Sequence, residues 1–162
     1  MSFWKIIKGL NFKQLSSLFV QFLKHPLYMI STVQATLQTF RISQKEFPNI
    51  HGKHNKANAF RHSLWNILIA KKCARFSKNQ EAVLQWAKEI TDWHEEFAPN
   101  QEIEKAMDLH NNLIGRNLYP RISEKESSEI TSFMIQQLER AILIKDVSEI
   151  ENNLQQLVYL ED

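Results

Sequence analysis

Apolar residues recur at intervals of three and four along most of the chain, and no segment sustains the strict alternation of a half-buried strand. Segment 3–24 places Phe3, Trp4, Ile6, Ile7, Leu10, Phe12, Leu15, Leu18, Phe19, Phe22 and Leu23 near helical spacing, with Lys5, Lys8, Lys13 and Lys24 between them. Pro26 stands where a new helix can begin. Residues 27–46 predict a second helix, with Met29, Ile30, Val33, Leu37 and Phe40 as its apolar positions, ended by Pro48. A polar loop from Asn49 to Lys56 follows. Further helices are expected over 57–76, 80–97, 101–118, 124–144 and 146–160, with Asn79, Asn100, Ser123 and Asp146 as N-caps and Pro99 and Pro120 as breaks. The pattern predicts an all-α fold: one domain spanning 1–162, an irregular or orthogonal bundle of about six to seven helices. Within it, 1–25 form a basic amphipathic segment and 124–160 a C-terminal helical pair.

Composition removes several function classes. The chain has 162 residues, three glycines and four prolines. Gly9, Gly52 and Gly115 stand far apart, so no glycine-rich phosphate loop exists. Cys73 is the lone cysteine, which excludes an internal disulfide and a C-x-x-C zinc site. No apolar run approaches the ~20 residues of a membrane span, and lysines interrupt any signal-peptide core in segment 3–24. A cytoplasmic protein is expected, peripheral at the inner face of the membrane if that segment lies on lipid.

Charge is uneven. Residues 1–80 carry thirteen Lys/Arg and a single acid, Glu46, whereas residues 81–162 carry seven Lys/Arg and seventeen Asp/Glu. A basic first half suits an anionic membrane surface met through residues 3–24, and it leaves nucleic acid open as a partner. The bland alternative is that the two halves neutralise one another across one fold.

Chemistry concentrates on three of the predicted helices. The helix over 57–76 is apolar almost all round, as a buried helix is, yet Asn58, His62 and Asn66 form a stripe at four-residue spacing with Arg61 beside it. Buried polar groups must find partners or a ligand. On the next helix His94 shares a face with Val83, Ala87 and Ile90, and Glu95 and Asp92 flank it. On the helix over 101–118, Asp108, Asn111, Asn112 and Gly115 fall within one arc of about 100°, with Arg116 just past its edge. His110 lies on the other side of that helix. Imidazole and carboxylate together are ligands for zinc, manganese or iron.

The strings Asn58-Ala59-Phe60-Arg61-His62-Ser63-Leu64-Trp65, His94-Glu95, Met107-Asp108-Leu109-His110-Asn111-Asn112 and Gly115-Arg116 resemble an uncharacterised bacterial domain. It occurs alone and at the C-termini of large secreted or wall-associated, toxin-like proteins. The resemblance covers about residues 32–117 and implies a site of Arg61, His62, His94, Glu95, Asp108, Asn111 and Asn112. A weaker similarity is to helical phosphohydrolases that set a lone His, a His-Asp pair and a distant Asp around divalent metals. Here the pair is His94-Glu95, so the similarity is one of chemistry rather than membership.

Two functions are therefore expected. One is a metal-dependent hydrolase of a phosphate ester or phosphodiester. His62, His94 and Asp108 would hold the ion, Glu95 would act as general base and Arg61 would stabilise the developing anion. Asn58, Asn66, Asn111, Asn112 and Arg116 would orient ligands or substrate. The other is a non-catalytic helical binding protein, in which the same residues form a buried network and the basic surface meets a membrane or a protein.

Overall fold

A computed structural model describes residues 12–98 and 100–161. The part of the predicted first helix that falls on 3–11, and the break expected at position 99, lie outside the described residues. The elements are α1 (Phe12–Lys24), α2 (Pro26–Glu46), α3 (Lys56–Cys73), α4 (Gln80–Phe97), α5 (Glu102–Ile122), α6 (Ser127–Leu138), β1 (Ile142–Leu143), α7 (Ser148–Glu151) and β2 (Val158–Tyr159). The fold is all-α, a single-domain bundle with almost no strand. None of the described helices is long and apolar enough to cross a membrane.

α3 is the central helix, packed against α2, α4, α5, α6 and β2. Asn55 caps it, its side chain accepting from the Asn58 backbone N–H. Thirteen of its eighteen residues are buried, including Phe60, Leu64, Ile67, Leu68 and Ile69. That is the all-round burial its composition predicts. Gly115 of α5 meets α3 at Ser63. A β-carbon at position 115 would stand 2.8 Å from Ser63 Cα and 2.9 Å from its carbonyl carbon, inside any real contact. The glycine therefore sets how closely the two helices that carry the polar stripe approach.

Four expectations change. The buried face of α2 is Ser31, Thr32, Ala35, Thr39 and Ser43, not the large apolar residues; Ile30 and Leu37 are exposed. Small side chains let α2 lie close to α3, and threonine hydroxyls of α2 accept the indole N–H groups of Trp86 (Thr32, 2.9 Å) and Trp65 (Thr36, 2.9 Å). Pro120 does not end α5, which runs to Ile122. A proline near a C-terminus forfeits one hydrogen bond, and burial of Tyr119 and Ile122 offsets it. Of the expected caps, Asn79 caps α4, whereas Gln101 caps α5 and Glu126 caps α6, each closing a capping box with the glutamate three residues on.

The largest change is at the C-terminus. The helix expected over 124–144 ends at Leu138, and in place of a helix over 146–160 the chain forms a short parallel strand pair around a single helical turn, with Ile142 paired to Val158 and Leu143 to Tyr159. Ile142-Leu143-Ile144 and Leu157-Val158-Tyr159-Leu160 are short apolar runs rich in β-branched and aromatic residues. Their spacing alone does not separate strand from helix. This segment is strapped onto the bundle. The Asn111 side chain donates to Val158 O (2.9 Å) and accepts from Val158 N (3.0 Å), as a neighbouring strand would. Leu160 N donates to His54 O (2.8 Å), and Lys56 sits over the Tyr159 ring.

Candidate metal centre

α3, α4 and α5 each project one ligand-type side chain into a common space. His62, Glu95 and Asp108 offer atoms that all lie within 4.8 Å of one another. Their exposures are 3%, 1% and 2%. His62 Nδ1 stands 3.3 Å from Glu95 Oε1, and His62 Nε2 stands 3.4 Å from Asp108 Oδ1. Three atoms of this group, His62 Nδ1, Glu95 Oε2 and Asp108 Oδ1, are buried without a hydrogen-bond partner among the described residues. Orphaned buried polar atoms are uncommon and costly, and here they share one space.

Around this centre the polar residues form two chains. The first runs from Glu95. Asn112 Nδ2 donates to Glu95 Oε1 (3.1 Å), Asn66 Nδ2 to Asn112 Oδ1 (2.7 Å), and Arg116 to Asn66 Oδ1 (2.9 Å), which also accepts from Thr91 (3.2 Å). The second runs from His62. Arg61 donates to His62 Nε2 (2.8 Å), to Asn58 Oδ1 (2.9 Å) and to the His51 carbonyl (2.6 Å). Asn100 donates to Asp108 Oδ2 (3.0 Å).

The donor pattern fixes protonation. A guanidinium only donates, so His62 Nε2 accepts and its proton lies on Nδ1, toward Glu95. Nε2 and Asp108 Oδ1 are then two acceptors facing each other, a contact that needs a proton or a cation between them. Burial pushes the Asp108 carboxyl above the ordinary aspartate range, and the Glu95 charge adds to this against His62, Arg61 and His54. Burial also pushes Glu95 upward, but the His62 imidazole, His94 and the Asn112 amide outweigh it, and its carboxyl ends below the usual range. Two neighbouring carboxyls are thus pushed in opposite directions.

The sequence-predicted residues do not all meet. Asn58, Arg61, His62, Asn66, Glu95, Asp108, Asn112 and Arg116 belong to the centre or its two chains. His94 does not belong to the clustered ligand atoms: it is half-buried, its ring edge-on to Trp65 at 5.3 Å. The expected ligand trio is therefore replaced by one with Glu95 in place of His94. The reason is helical phase. The buried line of α4 runs Val83, Ala87, Thr91, Glu95 at intervals of four, and one residue turns the helix by about 100°. Asn111 also leaves the centre, because it holds Val158 instead. His110 points away from it, onto Gln156 O at 2.8 Å. Thr91 is absent from the sequence reading, and Asn100 enters it only as an expected helix cap. Thr91 carries a signal, a small polar residue four before Glu95 on a buried face; Asn100 carries none. Cys73 takes no part: it is fully buried, and burial pushes its thiol up to about 12.

The centre fits a divalent ion. Ligands at ~2.0–2.2 Å from a tetrahedral zinc stand about 3.3–3.6 Å apart, so ligand atoms that all lie within 4.8 Å of one another would close on an ion by small side-chain movements. One imidazole and two carboxylates suit zinc, manganese or iron, and three protein ligands leave a position for water. Asn112 and Asn100 each hold one oxygen of the two carboxylates, as supporting partners of ligands do.

No curated protein and no solved structure matches the chain. Residues 19–142 match a domain of unknown function, DUF6973, a longer stretch than the motif strings span, and the chain belongs to that family.

Proposed function

We propose that this protein is a divalent-metal-dependent hydrolase acting on a phosphate ester or phosphodiester. The observation that carries the reading is the convergence of His62, Glu95 and Asp108 from three helices, with an unpaired atom on each. These three residues would hold the ion, His62 through the Nε2 lone pair that Arg61 occupies here. When bound, a divalent ion lowers the pKa of a water and polarises a phosphoryl oxygen. Glu95 would hold the ion through Oε1, which faces His62 and accepts from Asn112, leaving Oε2 to take a proton. Arg61, already at His62, supplies positive charge for the oxygens of the transferred group. The toxin-like bacterial proteins that the motif strings resemble would suit a hydrolytic domain of this kind.

A second reading has its own observation. All three side chains are almost wholly enclosed, which suits a non-catalytic binding protein whose polar network only fixes how its helices pack.

Glu95→Gln separates the two. In the hydrolase, the variant keeps its melting temperature, and hydrolysis of bis(p-nitrophenyl) phosphate in the presence of manganese or zinc is abolished, because an amide takes no proton at neutral pH. In the network protein, the same change costs about 1–3 kcal/mol of stability. Elemental analysis of protein purified without chelator or histidine tag should find about one ion per chain, lost in His62→Ala. Metal-free protein whose melting temperature ignores added zinc and manganese would sink the metal reading.

A further inference from the structure

A second cleft lies away from the metal centre, between the C-terminal half of α5, the end of α6 and the segment 151–157. Its volume is about 680 Å³, the size of a small-molecule site. Its lining is unlike an ordinary apolar pocket. Arg121 of α5 and Arg140, just after α6, line it together with carboxamide residues such as Asn117, Gln137 and Asn152, and with Leu118.

The two arginines are the cations that line this cleft. Residues 81–162 carry seventeen acids, more than enough to pair their seven cations. Lys88 and Lys125 do pair, each with an acid one turn on, and Arg116 is committed to Asn66 and Thr91; Lys105 and Lys145 have no ion pair among the described residues, but neither lines the cleft. Neither the Arg121 nor the Arg140 guanidinium has an ion pair or a hydrogen bond among the described residues. Glu151, the acid that also lines the cleft, pairs with neither of them. Two unpaired guanidiniums on one cleft, within the acidic half of the chain, leave an anion-shaped need.

The carboxamides narrow the ligand. Each both donates and accepts, which suits hydroxyl groups, and Glu151 can accept from one. Two guanidinium forks supply more donors than one carboxylate can use, and they match the three terminal oxygens and double charge of a phosphate monoester. We propose that the cleft formed by Arg121, Arg140 and residues 151–157 binds a small hydroxyl-bearing organic phosphate of the sugar-phosphate class. One wall, residues 151–157, lies beyond the family match at 19–142. The same wall leads directly into Val158, which Asn111 holds, so an occupied cleft would also fasten the strap.

Calorimetric titration of the full chain with ribose 5-phosphate tests this, with ribose, inorganic phosphate and citrate as companions. Saturable binding of ribose 5-phosphate at millimolar concentration or tighter is expected, with inorganic phosphate weaker and ribose silent. The double variant Arg121→Gln/Arg140→Gln changes two exposed side chains, and it should weaken binding about tenfold or more. A double variant Lys125→Gln/Lys145→Gln removes the same charge elsewhere and should bind normally. Hydrogen exchange at Gln156–Tyr159 should slow when ribose 5-phosphate is present. The proposal is overturned if ribose 5-phosphate shows no saturable binding up to about 10 mM, if the arginine double variant binds it as well as the parent, if both double variants lose it equally, or if citrate binds in preference to it.

Discussion

At the scale of single residues, the contact between His62 Nε2 and Asp108 Oδ1 decides the chemistry of the centre. Arg61 makes Nε2 an acceptor, and burial with Glu95 nearby raises the Asp108 carboxyl. In metal-free protein this has a definite sign. An acid raised on folding binds its proton more tightly in the native state. Its contribution to stability is present below the unfolded value of about 3.9 and is lost as pH rises through the higher folded value. Asp108→Asn removes that loss, and the amide oxygen can still accept from Asn100. With chelator present, Asp108→Asn should gain stability relative to the parent as pH rises from 4 to 8, read from urea midpoints at each pH. With zinc present the order should reverse, because only the parent keeps its ligand. A difference that is flat with pH in chelator would mean that Asp108 titrates normally. Much of this centre is legible in the sequence. Asn58, His62 and Asn66 are conspicuous because they interrupt a helix that is otherwise apolar all round. Glu95 and His94 are harder to tell apart, since both lie within a turn of Ile90, and only the packing of Thr91 against Asn66 fixes the phase. Asn100 reaches Asp108 from the connection before α5, where no periodicity exists to place it.

At the scale of elements, the site depends on how closely α3 and α5 approach. That distance is set where Gly115 faces the Ser63 backbone. Gly115→Ala should therefore destabilise, although alanine favours helix by about 1 kcal/mol over glycine. Overpacking a close contact costs about 1–3 kcal/mol, and here the neighbour is backbone, which cannot rotate away. The variant should melt lower, and its metal affinity should fall more than its helicity, since His62 and Asp108 ride on the two helices forced apart. A variant as stable as the parent would show that α3 and α5 can slide. Asn111→Ala tests the other attachment. It strands both the N–H and the C=O of Val158, and it should cost about 1–3 kcal/mol in a urea titration. Periodicity reveals α3, α4 and α5 because their buried faces are apolar. It misplaces the buried face of α2, where Ser31, Thr32, Ala35 and Ser43 are inside for their size rather than their hydrophobicity. It cannot resolve the C-terminal strap, whose apolar runs are too short to show a period and whose pairing depends on Asn111, dozens of residues away.

At the scale of the molecule, the two charge halves meet without forming Lys/Arg–carboxylate bridges between them among the described residues; the close contacts with carboxylates across the halves are made by His54 and His62. Among the described residues, the basic first half leaves Lys24, Arg41, Lys45, Lys53, Arg75 and Lys78 exposed. It coincides with apolar surface: Phe19 is 60% exposed, Leu23 is 62% exposed, and Leu27 and Ile30 of α2 are exposed beside them. Isolated exposed apolar residues are ordinary, but a run of them at a helix pair, with Lys24 at its edge, fits the interface of an anionic bilayer. The full chain should sediment with phosphatidylserine-containing vesicles and not with purely zwitterionic ones. Raised salt should release it, since surface attraction is screened over about 8 Å at physiological ionic strength. Phe19→Ser and Leu23→Ser touch side chains already mostly in water, so the fold should stay intact while vesicle binding weakens. Burying one such side chain is worth roughly 1.5–3 kcal/mol, so each change should lower vesicle affinity by about tenfold. Binding that survives both substitutions, or that ignores salt, would rule out this face as a lipid contact and leave the uneven charge as mutual attraction between the two halves.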